Sequence, residues 1–213
     1  MAGSLDPLRE SLSAGLAALV LPSDLAGPLA ELSELVASWA SRMNLTGHRT
    51  AEEVSSRLVL DALALGVSLP VRPRSLADLG SGAGFPGLPL AVLWPACRFT
   101  LVEARERRHH FLRAAIRALG LLNATALRGR AEEIPAAAHE VVVAQAMAAP
   151  AQALEWMARW AAADGWLALP QASDAAPIVP PPGIEPAGLR SYRVPVSGIP
   201  RALWLGRLQS RPR

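Results

Sequence analysis

From Arg74 onward the chain alternates short apolar runs with longer amphipathic stretches. Runs at 75–79, 98–103, 124–128, 140–144 and 165–169 read as strands, and stretches at 87–94, 105–119, 131–137 and 150–162 read as helices. Strands separated by helices in this way predict a parallel, doubly wound α/β sheet. Two last runs, Leu189–Val196 and Ala202–Leu208, are joined by Ser197-Gly198-Ile199-Pro200 and predict an antiparallel hairpin, bringing the sheet to seven strands. Upstream, Leu5, Leu8, Leu12, Leu16 and Leu19 predict a helix over 5–20 that stops near Pro22. Ser23 or Asp24 is placed to cap a second helix through Leu25, Leu29, Leu32, Leu35, Val36 and Trp39. Thr50-Ala51-Glu52-Glu53 has the form of a capping box and starts a third helix through Val54, Leu58, Asp61 and Leu65. The pattern divides the chain into an N-terminal helical cap, 1–73, and an α/β core, 74–213. The interval 170–188, with Pro180-Pro181-Pro182 at its centre, excludes an ordinary helix.

The richest stretch lies between the first core strand and its helix: Asp78-Leu79-Gly80-Ser81-Gly82-Ala83-Gly84-Phe85-Pro86-Gly87. Strand, glycine loop and helix together bring backbone N–H groups up to a ligand. Two cofactors compete for it. Gly82-x-Gly84-x-x-Gly87, with Glu103 downstream, fits a dinucleotide fingerprint. Asp78-x-Gly80-x-Gly82-x-Gly84 fits a loop for S-adenosylmethionine (AdoMet). Charge favours the second: a carboxylate ahead of the first glycine repels a pyrophosphate but suits an ammonium and a sulfonium. Phe85-Pro86 also stands where a pyrophosphate needs an open loop. A strand–helix core closed by a terminal hairpin is likewise the pattern of Rossmann-like class I AdoMet methyltransferases.

The ligand of such a sheet sits beyond the carboxyl ends of its strands. Asp78, Gly80, Gly82, Gly84 and Phe85 are therefore expected to face the methionine part. Glu103 ends the second strand and is expected to accept the ribose hydroxyls. Gly129-Arg130-Ala131-Glu132-Glu133, after the third strand, brings backbone groups to the adenine. The helix after Glu103 carries Arg105, Arg108, Arg113 and Arg117, candidates for phosphate contact, although a solvated helix face explains such a stripe more simply. His109 and His110 read as solvated helix residues. No metal is expected, since the histidines lack ligand spacing.

Composition trims the function classes. In 213 residues there is one cysteine, Cys97, so no internal disulfide forms, and no apolar run is long enough to span a bilayer. Met1-Ala2-Gly3-Ser4-Leu5-Asp6 lacks the blocks of a secretion signal. A cytoplasmic protein is expected, and a monomer. All 21 of the lysine-plus-arginine residues are arginine, which removes every lysine-based catalyst; the net charge is +3, compatible with an RNA partner. The chain has no Asn/Asp-Pro-Pro-aromatic sequence after the fourth strand, against exocyclic amine methylation. Cys97 has no Pro-Cys context, against attack on pyrimidine C5. Guanine N7 needs no base at all, because its lone pair lies in the ring plane and carries no proton.

Asn44-Leu45-Thr46, Arg57 with Asp61, and Leu76-Ala77-Asp78-Leu79-Gly80-Ser81-Gly82-Ala83-Gly84-Phe85-Pro86-Gly87-Leu88-Pro89-Leu90 strongly resemble the bacterial small-subunit rRNA guanine-N7 methyltransferases, the RsmG/GidB family. Phe99-Thr100-Leu101-Val102-Glu103, Arg108 with Phe111-Leu112-Arg113, and Gly129-Arg130-Ala131-Glu132 continue the match in order. The resemblance implies AdoMet as cofactor and methyl transfer to N7 of a guanine in 16S rRNA, as free RNA or in the ribosomal subunit. It places Gly80, Phe85, Ala131 and Glu132 at cofactor positions, and offers Asn44, Arg57, Asp61 and Gln145 as positioning residues, Gln145 also toward the cofactor. Departures lie on the acceptor side. Ala144-Gln145-Ala146 replaces Ser-Arg-Ala, Leu58 and Ala62 replace a histidine and a serine, and Pro170-Gln171 replaces Lys-Gly. Two alternatives therefore stay open, a binding or regulatory protein on the same fold and a methyltransferase for another acceptor.

Overall fold

The computed structural model describes residues 5–209; the reading of Met1–Ser4 as free of a signal lies outside them. Helix α1 spans Leu5–Ala18, α2 Ala26–Ala40, α3 Ala51–Val54 and α4 Leu60–Ser68, and a π-helical turn, Ser55–Val59, joins the last two. The capping box forms as expected, Glu53 N–H donating to Thr50 Oγ1 at 3.2 Å while Glu53 Oε2 accepts from Thr50 N at 3.4 Å. Ser23 and Asp24 do not cap α2: they lie in a 3-10 turn, Ser23–Leu25, that runs directly into it.

Strands β1 (Ser75–Leu79), β2 (Arg98–Glu103), β3 (Ala124–Arg128), β4 (His139–Ala144), β5 (Ala161–Ala172), β6 (Ile184–Arg193) and β7 (Pro200–Leu208) form one sheet in the order 3-2-1-4-5-7-6. The first five are parallel, and β7 inserts antiparallel between β5 and β6. Helices α5 (Gly87–Leu93), α6 (Glu106–Ala118) and α7 (Pro150–Trp160) are the crossovers. Two sequence expectations fail locally. Residues 131–137 make a single turn rather than a helix, because Pro135 lacks an N–H and disfavours helical backbone before it. The hairpin begins at Ile184, upstream of Leu189. As the edge strand, β6 tolerates Pro186, and its register shifts between Pro186 and Gly188.

Successive residues of each strand serve opposite layers. Leu76, Phe99, Leu101, Val141 and Val143 pack with α1, α2, α4, α5 and α6, through Leu12, Leu16, Leu29, Leu32, Leu60 and Phe111 among others. The N-terminal helices thus extend the layer begun by α5 and α6. Of the departures on the third helix, Leu58 packs against this layer and Ala62 is buried. Ala77, Leu79, Val142, Ala144 and Leu167 face the other way, onto Ala153, Leu154, Met157 and Trp160 of α7. The strand order reverses between β1 and β4, and the loops leaving these two strands open a crevice.

Candidate active site

Two hollows adjoin in that crevice. One, of about 360 Å³, is bounded by Gly80, Glu103, Arg105, Arg108, Ala131 and Glu132, with Met147 and Trp156 on the far wall. The other, of about 280 Å³, is bounded by Asp61, Gln145, Leu169, Pro170, Gln171 and Arg201. Ala146 lines both. Its φ of 52° is left-handed, a strained conformation for a residue with a Cβ, so the chain after β4 is held in a sharp turn where the hollows meet.

The first hollow is built on backbone groups. Gly80 has φ 70°, and a Cβ there would lie 3.0 Å from Met147 Cβ, so a glycine keeps this wall open. Glu103 is buried at the end of β2. Its Oε2 accepts from Gly82 N–H at 2.9 Å and its Oε1 from Arg105 N–H at 2.7 Å. The carboxylate therefore ties the glycine loop to α6 and pairs with neither the Arg105 nor the Arg107 side chain. Each oxygen retains acceptor capacity for a hydroxyl. Across the cleft, Ala131 C=O accepts from Trp160 Nε1 at 2.9 Å and Glu132 C=O accepts from Arg159, pinning that wall to α7.

Several loop residues do other work than expected. Asp78 does not line the cleft. Its Oδ2 accepts from Gly87 N–H at 3.0 Å, tying β1 to the start of α5, and Oδ1 has no hydrogen-bond partner. Burial pushes this carboxyl up to about 7, with the nearby Glu103 charge adding to it. A Cβ on Gly84 would meet Leu88 at 2.2 Å, so this glycine serves packing. Phe85 packs on the helical layer. Gly82 contributes its N–H to Glu103 and does not line the cleft.

The second hollow is built from side chains far apart in sequence. Asp61 is buried on α4; Tyr192 Oη donates to its Oδ1 at 2.9 Å and Arg201 Nε to its Oδ2 at 3.1 Å. Desolvation raises the Asp61 carboxyl above its ordinary range, and Arg201 and Tyr192 oppose the rise. Tyr192 is itself pushed well up, by burial and by the Asp61 charge. Gln145 lies in this hollow and does not line the first. Arg57 is exposed and lines neither; Asn44 is also exposed, and its carbonyl accepts from Arg108 Nη2 at 3.4 Å. Arg113 and Arg117 line neither hollow, whereas Arg105 and Arg108 line the first. His109 is not solvated: it is buried against β3, its Nε2 3.4 Å from Ala126 O. Tyr192, Arg201, Met147 and Trp156 carried no local sequence signal.

The first hollow fits AdoMet. It offers a buried carboxylate with spare lone pairs, a wall that a Cβ at Gly80 would fill, and backbone at Ala131 and Glu132. Among the described residues no group of three or more His, Cys, Asp and Glu side chains forms a metal site, and no helix is long and apolar enough to cross a membrane.

Comparison with known proteins agrees with this geometry. The family model described as rRNA small subunit methyltransferase G matches residues 27–176. Ribosomal RNA small subunit methyltransferase G of Stenotrophomonas maltophilia is 41% identical over 146 residues, 66% of this chain and 68% of that protein. The protein of the same name from Cereibacter sphaeroides is 38% identical over 138 residues, 63% of this chain and 66% of its own. A SAM dependent methyltransferase from Aquifex aeolicus superposes with a TM-score of 0.57 at 16% identity, covering 81% of this chain and 98% of that one, a likeness of fold. The chain belongs to the rRNA small subunit methyltransferase G (GidB) family.

Proposed function

We propose that the protein transfers the methyl group of AdoMet to N7 of a guanine in small-subunit rRNA. The observation that carries this reading is the pair of hollows meeting at Ala146: one fits the cofactor, and the other opens beside it with no free acid or base poised for proton transfer. When bound, AdoMet supplies an electrophilic methyl group. Held by Glu103 and the Gly80 loop, it would offer that methyl to guanine N7, whose own lone pair would take it with no proton to be removed. The protein's task is then to orient the two partners and exclude water. Glu103 and the Gly80 loop hold one partner. Asp61, Tyr192 and Arg201 form a rigid cluster against which the other is placed. Arg201 also brings a guanidinium to the hollow in which the family resemblance expects one at position 145.

In this reading residues 1–73 act as a helical cap on the 74–213 core, and the protein works as a cytoplasmic monomer. The test is incubation of the purified protein with methyl-labelled AdoMet and small-subunit RNA or subunits. Label at guanine N7, read by strand scission after reduction, is expected. Tight AdoMet binding with no transfer to any small-subunit substrate would overturn the reading.

A further inference from the structure

Four of the arginines pair with carboxylates, and most of the others do not. Arg74, Arg128, Arg130 and Arg201 lie beside carboxylates, at distances from 2.6 to 3.8 Å. Among the described arginines without an ion pair, Arg42, Arg105, Arg107, Arg108, Arg113 and Arg117 stand out by being grouped together. All six sit on α6, at its start or at the end of α2. The one acid of α6, Glu106, is engaged by Arg128 at 3.1 Å and lies 4.0 Å from His110. An ordinary solvated helix face interleaves acids and bases three or four residues apart, and like charges at that spacing destabilise it. Here Arg113 and Arg117 repel each other with no acid between them. A polyanion laid along this face would supply the opposite charge.

Beside this face is a small hollow that the cofactor and acceptor do not use. It measures about 230 Å³ and is lined by Trp39, Arg42 and Met43 from the end of α2, and by Arg107 and His110 from the first turns of α6. The Trp39 ring is anchored edge-on against Phe111, centroids 5.5 Å apart at 68°. It is half-buried, fixed by the core on one side and open to the hollow on the other. An indole floor with guanidinium walls is the chemistry that stacks a nucleobase and grips its phosphate. The hollow also neighbours the cofactor cleft: Arg107 lines one, Arg108 the other, and Arg108 donates to the Asn44 carbonyl, next to Met43 of the hollow.

We propose that Trp39, Arg42, Arg107 and His110 form a nucleotide subsite for a single-stranded segment of the RNA flanking the methylated base, with Arg113 and Arg117 extending the phosphate track along α6. The proposal rests on the rRNA reading above. It is tested by measuring binding of a small-subunit rRNA transcript over a range of salt, with AdoMet titration as a control for folding. The double variant Arg42→Gln/Arg107→Gln should lower the slope of log affinity against log salt by about 1.4, roughly 0.7 per lost phosphate contact. Trp39→Leu, which keeps apolar bulk on Phe111, should weaken binding about tenfold with the slope unchanged, and Trp39→Phe should restore most of it. Variants that bind the transcript like the parent, while the parent methylates it, would overturn the subsite alone. A parent that binds AdoMet but shows no salt-dependent affinity for the transcript would overturn the subsite together with the RNA reading.

Discussion

The cofactor cleft and the hollow proposed for the acceptor share Ala146 and little else. The cleft is made by loops that leave neighbouring strands. Its polar contacts are mostly backbone N–H groups accepted by one buried carboxylate, Glu103, whose partner Gly82 is 21 residues away. The acceptor hollow is made by side chains. Asp61 meets Tyr192 across 131 residues and Arg201 across 140. Backbone-built sites tolerate side-chain change elsewhere, because the N–H groups stay in place whatever surrounds them. Side-chain-built sites change one residue at a time. Three of the five departures from the family pattern, Gln145, Pro170 and Gln171, line the second hollow, Leu58 and Ala62 line neither, and the cofactor loop keeps its glycines and carboxylates.

The largest effect that would sharpen this contrast concerns Asp78, beneath the cofactor loop. Its carboxyl is pushed up to about 7 by burial, above its value in the unfolded chain. The folded protein therefore holds a proton that the unfolded chain releases, and stability declines as pH rises from about 4 to about 7. The full cost on the alkaline side is roughly 4 kcal/mol. Asp78→Asn, whose side-chain oxygen still accepts from Gly87, should flatten that decline in urea unfolding measured from pH 4 to 8. An unchanged slope would remove Asp78 as its source.

Glu103→Ala should weaken AdoMet binding about a hundredfold, roughly 2.7 kcal/mol, since it removes an acceptor and also frees the Gly82 and Arg105 N–H groups. Calorimetric titration reads this directly, and a loss under threefold would contradict the role given to Glu103. On the other side of Ala146, Arg201→Gln leaves the buried Asp61 without its cation. It should cost about 2 kcal/mol of stability and slow methyl transfer about thirtyfold, with AdoMet affinity within threefold of the parent. Equal losses in transfer and AdoMet binding would show that the two hollows act as one. The smallest effect is expected for Gln145→Ala: a few-fold drop in kcat/KM on RNA, and AdoMet affinity within twofold. A larger loss of AdoMet binding would return Gln145 to the cofactor side, where its place in the family pattern first put it.

Much of the cofactor side was legible because its signals are local. A glycine loop between strand and helix, and a carboxylate at the next strand's end, can be read within some twenty-five residues. Pro135 was equally local and marks why 131–137 cannot be a helix. His109 also had a readable place, since His109, Leu112 and Ile116 follow one helical face toward the sheet. Tyr192 and Arg201 had none: each is an ordinary polar residue in a strand until β7 is known to lie between β5 and β6.

By itself the sequence determined the alternation of strands and most helices, the capping box at Thr50 and the cofactor loop, because propensity, turn chemistry and hydrophobic period act over a few residues. Only the tertiary structure decided what surrounds the hollow proposed for the acceptor. The antiparallel insertion of β7 sets which strand ends stand over α4, and that alone brings Arg201 and Tyr192 onto Asp61. The same holds for the hollow between Trp39 and α6. Its arginines are visible in the chain, but their gathering beside Trp39 is a property of how the helices pack.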